Sequence, residues 1–118
     1  MNFFEELRAL GVDVDDGMKR LMGNEKLYRK LLGSFVKMIG SQTLAAEDFD
    51  KADHTSEIEK AHSIKGTAGN LSLTPIYESY TEILNLLRTD RPEEAKAVLA
   101  KVLPVQQEIV SCIERNME

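Results

Sequence analysis

The chain has 118 residues, with 15 Lys and Arg against 20 Asp and Glu, one Cys, no Trp, three Pro and seven Gly. That length holds one domain around a single core, and 42% hydrophobic with 30% charged residues is a globular composition, too apolar for a disordered chain. The net charge of −5 argues against a broad electrostatic grip on nucleic-acid phosphates, and a lone cysteine excludes an internal disulfide and Cys-rich zinc patterns.

No run approaches the roughly 18 apolar residues of a membrane span, and the opening residues lack the basic and apolar stretches of a secretion signal. A reduced, cytoplasmic, soluble domain with no nucleic-acid or membrane partner is therefore expected. The starting Met and the complete helical pattern lead us to expect a free-standing protein rather than a piece of a larger kinase.

Helical periodicity runs nearly everywhere and β-type alternation is nearly absent. Two short helices are predicted at the front, about Asn2–Ala9 and Val14–Met22, separated by Gly11 and followed by Gly23. Phe3, Phe4 and Leu7 would pack this front onto the remainder; a dimer contact is their alternative use. From Asn24, a good N-cap, apolar residues recur in steps of three and four at Tyr28, Leu31, Leu32, Phe35, Met38 and Ile39. A shorter amphipathic stretch after Gly40 carries Leu44, Ala45, Phe49 and Ala52. The next helix starts near His54 or Thr55 and carries Ile58, Ala61, Ile64, Ala68 and Leu71.

Thr74-Pro75 reads as an N-cap with Pro at the first helical position, ahead of Ile76, Tyr80, Ile83, Leu84 and Leu87. Asp90 and Glu93 have the spacing of a capping box for a last helix with Ala95, Val98, Leu99, Val102, Ile109 and Ile113 inward. Pro104 inside it predicts a kink near Leu103. Cys112 reads as a small buried residue without redox chemistry, and the scattered methionines as core filler. Four longer amphipathic helices with brief connections predict an all-α fold: an antiparallel four-helix bundle with short N-terminal capping helices, one domain over residues 1–118. Such a bundle hosts many functions.

The segment that carries chemistry is Ala61-His-Ser-Ile-Lys-Gly-Thr-Ala-Gly-Asn-Leu71. On a helix Ala61, Ile64, Ala68 and Leu71 cluster toward the core, and His62 points about 140° away from them. Ile58, Lys65, Gly66 and Gly69 fall within about 60° of the His62 direction. Two glycines on an outer helical face each cost roughly 0.5–1 kcal/mol relative to Ala, and close approach of another molecule to the imidazole is the compensation we infer. Lys65 places a positive charge beside whatever the ring bears, which suits the oxygens of a phosphoryl group, and histidine can act as a nucleophile carrying a covalent intermediate. The plainer alternative is that a lone surface His is idle, that Lys at +3 is ordinary on an exposed face, and that a helical Gly marks a kink or a packing contact.

This segment resembles the signature of histidine-containing phosphotransfer (HPt) domains, in which His-x-x-Lys-Gly-x-x-x-Asn surrounds the phosphorylated histidine. Gly23-Asn24-Glu25 followed by Leu27-Tyr28 is also similar to that family, and the resemblance covers about Gly11 to the C-terminus. It implies a bundle whose exposed histidine accepts a phosphoryl group from one receiver-domain aspartate and passes it to another. His62 would be phosphorylated, Lys65 would neutralise phosphoryl charge, and Gly66 and Gly69, with Ile58, would form the face on which the receiver docks. Asn70 matches the signature at the edge of the site, where capping the helix end is its simpler role. Two positions depart from the pattern: Ser72 stands where the family usually has Gly, and Leu84 where a polar residue often supports the histidine.

The implied partners are response-regulator receiver domains, with a hybrid histidine kinase as one source of such a receiver, and the chain itself is expected to be a monomer. No cofactor of its own is expected; the Mg²⁺ belongs to the receiver. The chain has no Gly-rich nucleotide loop and no Asp-Phe-Gly, so it should not use ATP and is a phosphocarrier rather than a kinase. His54 and His62 stand eight apart with no Cys nearby, a poor metal set, and His54 is expected on solvated surface. The rival reading is a non-catalytic helical module that binds a receiver or a partner helix without carrying phosphate.

Overall fold

The computed structural model describes residues 2–117; Met1 and Glu118 lie outside them. Six α-helices follow in order: α1 (Phe3–Ala9), α2 (Val14–Arg20), α3 (Glu25–Ser41), α4 (Thr55–Asn70), α5 (Thr74–Arg88) and α6 (Pro92–Arg115). A 3-10 turn, Ala46–Asp50, lies between α3 and α4, and no strand occurs among the described residues. After Gly40 only this turn forms; Leu44 and Phe49 are buried, whereas Ala52 is exposed.

Short polar side chains set the starts of the first three helices by satisfying N–H groups that have no intrahelical partner. Asn2 accepts from Glu5 N–H at 2.9 Å while the Glu5 carboxylate accepts from Asn2 N–H, a capping box. Asp13 accepts from Asp16 N–H at 3.1 Å to start α2, and Asn24 from Leu27 N–H at 3.0 Å to start α3. Two starts differ from expectation. Helix α5 begins at Thr74 itself, with Leu73 as N-cap and Pro75 in its first turn. In α6 the capping box is absent: Asp90 turns at φ +57°, Arg91 is the N-cap and Pro92 opens the helix.

Pro104, near which a kink is expected, lies inside a helix that runs from Pro92 to Arg115. Pro104 deprives the Ala100 carbonyl of its partner, but both residues lie on the exposed face, where water can take its place.

Helix α5 packs along α4 on one side and α6 on the other, and α3 lies against α6 and α4. The buried side chains Leu32, Phe35, Ile64, Ile83, Leu99 and Ile109 meet between these four. Helix α1 packs on α6 through Phe3 and Leu7, both buried, while Arg29 of α3 lies over the rings of Phe3 and Phe4 at 5.1 and 5.0 Å. The methionines are not uniform filler: Met18 and Met38 are partly buried, Met22 is 96% exposed in a left-handed turn, and Met117 reaches Gly33. Met1 lies outside the described residues. Cys112 is buried with its Sγ 3.7 Å from Glu6 Oε2, and burial pushes the thiol up from its ordinary range. No helix is long and apolar enough to cross a membrane among the described residues.

Candidate functional site on the outer face of α4

The inward stripe of α4 is as the helical spacing predicts: Ala61, Ile64, Ala68 and Leu71 are buried. His62 and Gly66 are exposed, and Lys65 and Gly69 are half-buried. Offsets of three, four and seven residues bring Lys65, Gly66 and Gly69 onto the face of His62. Ile58, one turn before, was expected to stand exposed; it is half-buried and packs partly against the core. Leu84, which the resemblance would align with a polar support, is a buried core residue, and Asn85 beside it is exposed.

The two glycines differ. A Cβ built on Gly66 meets nothing within 4 Å, so the helix surface there is open. A Cβ on Gly69 would come within 2.9 and 3.0 Å of Cδ1 and Cε1 of Tyr77. The close approach of another molecule, inferred from both glycines, is corrected at this position to the plainer packing contact: Tyr77, from the first turn of α5, lies across Gly69. The same ring has the Lys65 ammonium 6.0 Å from its centroid, at the outer reach of a cation–π contact worth about 0.5–1 kcal/mol at exposed sites.

Below the glycines, α4 ends in a left-handed turn. Leu73 N–H donates to Ala68 O at 2.9 Å and Ser72 N–H to Gly69 O at 3.3 Å, which closes the last helical turn through backbone groups rather than through Asn70, whose side chain is exposed. Ser72 takes φ +56°, the left-handed backbone that glycine adopts most readily, so the turn forms with serine there.

That turn carries α2. Asp13 N–H donates to Ser72 O at 3.0 Å, Ser72 Oγ donates to Asp16 at 2.5 Å, and Tyr28 Oη donates to Leu71 O at 2.9 Å. Gly17 is where α2 comes closest; a Cβ there would lie 2.7 Å from the Tyr28 ring and 2.9 Å from Leu71 O. Arg20 pairs with Asp16 at 2.9 Å, and with Ser72 it holds the Asp16 carboxyl below the usual carboxylate range. A cleft of about 370 Å³ opens between α2, α4 and α5, with Arg20, Gly66, Gly69, Asn70 and Tyr77 among its walls.

His54 is not on solvated surface. It is buried, its Nε2 3.2 Å from Phe49 O, at the foot of α4. Glu57, one turn on, is also buried and pairs through Oε2 with Lys51 at 3.1 Å, leaving Oε1 without a partner. The two histidines therefore stand in opposite environments. No group of three or more His, Cys, Asp or Glu suited to a metal ion occurs among the described residues.

Three members of this neighbourhood escape the sequence reading: Tyr77, the Ser72–Asp16 tether and Arg20. The one available signal was an aromatic at position 77 outside the inward set of its helix. Comparison with protein-family models, with curated proteins and with solved structures gave no significant match.

Proposed function

We propose that the chain is a histidine phosphocarrier of a two-component phosphorelay, an HPt-like single domain in which α3 to α6 form an antiparallel four-helix bundle and α1 and α2 its cap. The observation that carries this reading is the exposed imidazole of His62 on a rigid helix, with Lys65 one turn on and the open helix surface of Gly66 beside it. The resemblance of the His62 segment to the HPt signature supports it, as does the persistence of the turn at Ser72.

In the transfer step the lone pair of the unprotonated ring nitrogen of His62 attacks the phosphorus of a receiver aspartyl phosphate. An N–P bond forms, the P–O bond to the aspartate breaks, and the carboxylate leaves with the electron pair. The other ring nitrogen keeps its proton. The reverse sequence delivers the group to a second receiver. Such chemistry asks the carrier for position and charge more than for further reacting groups. Lys65 offers its ammonium to the phosphoryl oxygens, and the open surface of Gly66 with the half-buried Ile58 forms the docking face, bordered by the Tyr77 ring that lies across Gly69. The receiver's Mg²⁺ supplies Lewis-acid charge stabilisation; this chain takes no cofactor of its own. It works as a cytoplasmic monomer between receiver domains, a hybrid histidine kinase being one source of them.

The test is labelling by a phosphorylated receiver, followed by location of the label. Acid-labile, alkali-stable phosphate on His62, lost in His62→Gln at an unchanged melting temperature, is the expected result. Label on His54, or retained label in His62→Gln, overturns the assignment. A receiver that binds tightly yet never transfers would favour the non-catalytic module.

A further inference from the structure

We propose that Tyr77 is a positioning residue for Lys65, its ring seated on α4 at Gly69 and holding the ammonium at the edge of the His62 face before a phosphoryl group arrives. The proposal rests on the phosphocarrier reading of His62.

Tyr77 is a large aromatic left out of the core. It is 40% exposed, whereas Ile76 beside it and Tyr80 one turn on are buried. Its contacts are with α4 instead. A glycine inside a helix is unfavourable, and Gly69 has a reason to persist: any Cβ would sit 2.9 Å from the ring. Gly66 has no such neighbour within 4 Å. One glycine thus leaves a path to the histidine, and the other seats an aromatic.

What the aromatic does follows from the next contact. The Lys65 stem has four rotatable carbons and its compact ammonium is well hydrated, so a free lysine spends little time in any one place. The face of a phenol ring carries negative potential and attracts a cation. With Nζ 6.0 Å from the Tyr77 centroid, the ammonium is drawn toward the ring that lies across Gly69, which an offset of seven residues puts on the same helical face as His62. Arg20, a cation in the wall of the cleft that Tyr77 also lines, is held by Asp16 at 2.9 Å. The ring's hold is weak enough for a doubly charged phosphoryl group to take the ammonium over, because charge-to-charge hydrogen bonds are the stronger kind.

The probe is phosphoramidate, a small donor that needs no receiver, with labelling of His62 followed by mass and ³¹P NMR. Upfield ring-current shifts of the Lys65 side-chain protons, read without any phosphate, report the seat itself. They should be present in the parent protein and in Tyr77→Phe and lost in Tyr77→Leu. Labelling should slow about two- to fivefold in Tyr77→Leu and match the parent in Tyr77→Phe. In a Lys65→Ala background, Tyr77→Leu should have no further effect. An equal slowing by Tyr77→Leu with and without Lys65 would show that the ring acts on its own account, and would overturn the proposal. Absence of the ring-current shift would overturn it too, whatever the labelling. If the parent shows the shift but takes no label, it is the phosphocarrier reading that fails, and the positioning role with it.

Discussion

Ser72 donates its hydroxyl to Asp16 at 2.5 Å while its own backbone sits at φ +56°, so one residue turns the chain from α4 into α5 and fastens α2 to the turn. The left-handed conformation costs an L-residue roughly 1–2 kcal/mol and costs glycine nothing. Ser72→Gly removes that strain together with the tether, whereas Ser72→Ala keeps the strain and loses the tether. The expected order of melting temperatures places Ser72→Ala lowest, with Ser72→Gly close to the parent. A Ser72→Ala protein as stable as the parent would mean that the hydroxyl does not hold α2.

The other half of that contact titrates. Hydrogen bonds from Arg20 and then Ser72 keep the Asp16 carboxyl below its ordinary value in the folded protein. A depressed carboxylate contributes its stability above the unfolded value, about 3.9, and loses it as pH falls through the lower folded value. The difference in melting temperature between the parent and Asp16→Asn should therefore hold steady near neutral pH and shrink below about pH 4. Exposure and salt screen this pair, so high ionic strength should shrink the difference as well. A gap that widened in acid would have the wrong sign for this account.

Tyr28 anchors the opposite side of the same turn, and its phenol is pushed up to about 12 by burial. Tyr28→Phe loses the bond to Leu71 O and should cost about 1 kcal/mol near neutral pH. The sign at high pH is the reverse of the Asp16 case. A raised acid is stabilising below its unfolded value of about 10, and that contribution drains away as pH rises toward the folded value. Denaturant melts of the parent and Tyr28→Phe should therefore converge in alkali. A constant difference from neutral pH to alkali would mean that the phenol is not buried as described.

Much of this molecule was legible in the residues. Steps of three and four located the long helices, and the cap Asn24 marked the start of α3, because both signals are local. Non-local contacts were not legible. Gly69 looked like Gly66 on a helical wheel, and only α5 brings the ring of Tyr77 across it. His54 sat in a polar run, yet the fold buries it against Phe49 O. Asp90 and Glu93 had capping-box spacing, but Pro92 cannot be preceded comfortably by helix, and the start moved to Arg91. For the site, position and exposure of His62 could be read from periodicity; what holds Lys65 could not, since it lies on another helix.

Charge and packing separate at Lys65. Its ammonium lies over Tyr77 and near the exposed face, so the unphosphorylated fold scarcely depends on it. Lys65→Ala should lower stability by no more than about 1 kcal/mol, the upper worth of the exposed cation–π contact, while slowing transfer about tenfold, the effect of losing about 1.4 kcal/mol of transition-state stabilisation. Lys65→Met restores the apolar stem without the charge. Transfer by Lys65→Met at the parental rate would make Lys65 a packing residue and remove its role toward phosphate.

Gly66 gives the cleanest test of access, because nothing lies within 4 Å of the Cβ it lacks. Gly66→Glu adds a side chain one turn from His62 without forcing any neighbour to move. Replacing an interior helical glycine should raise stability by up to about 1 kcal/mol, so any functional loss cannot be blamed on the fold. In the proposed phosphocarrier the new carboxylate would stand where a receiver docks and where phosphoryl oxygens come, and both sterics and like charge would oppose it. Transfer from a receiver should fall by orders of magnitude, measured as the initial rate of label appearing on His62. Gly66→Ala separates the two causes: it fills the same position by one methyl group without charge, and should retain most of the rate if repulsion dominates. Parental transfer by Gly66→Glu at raised stability would place the docking face elsewhere on the molecule.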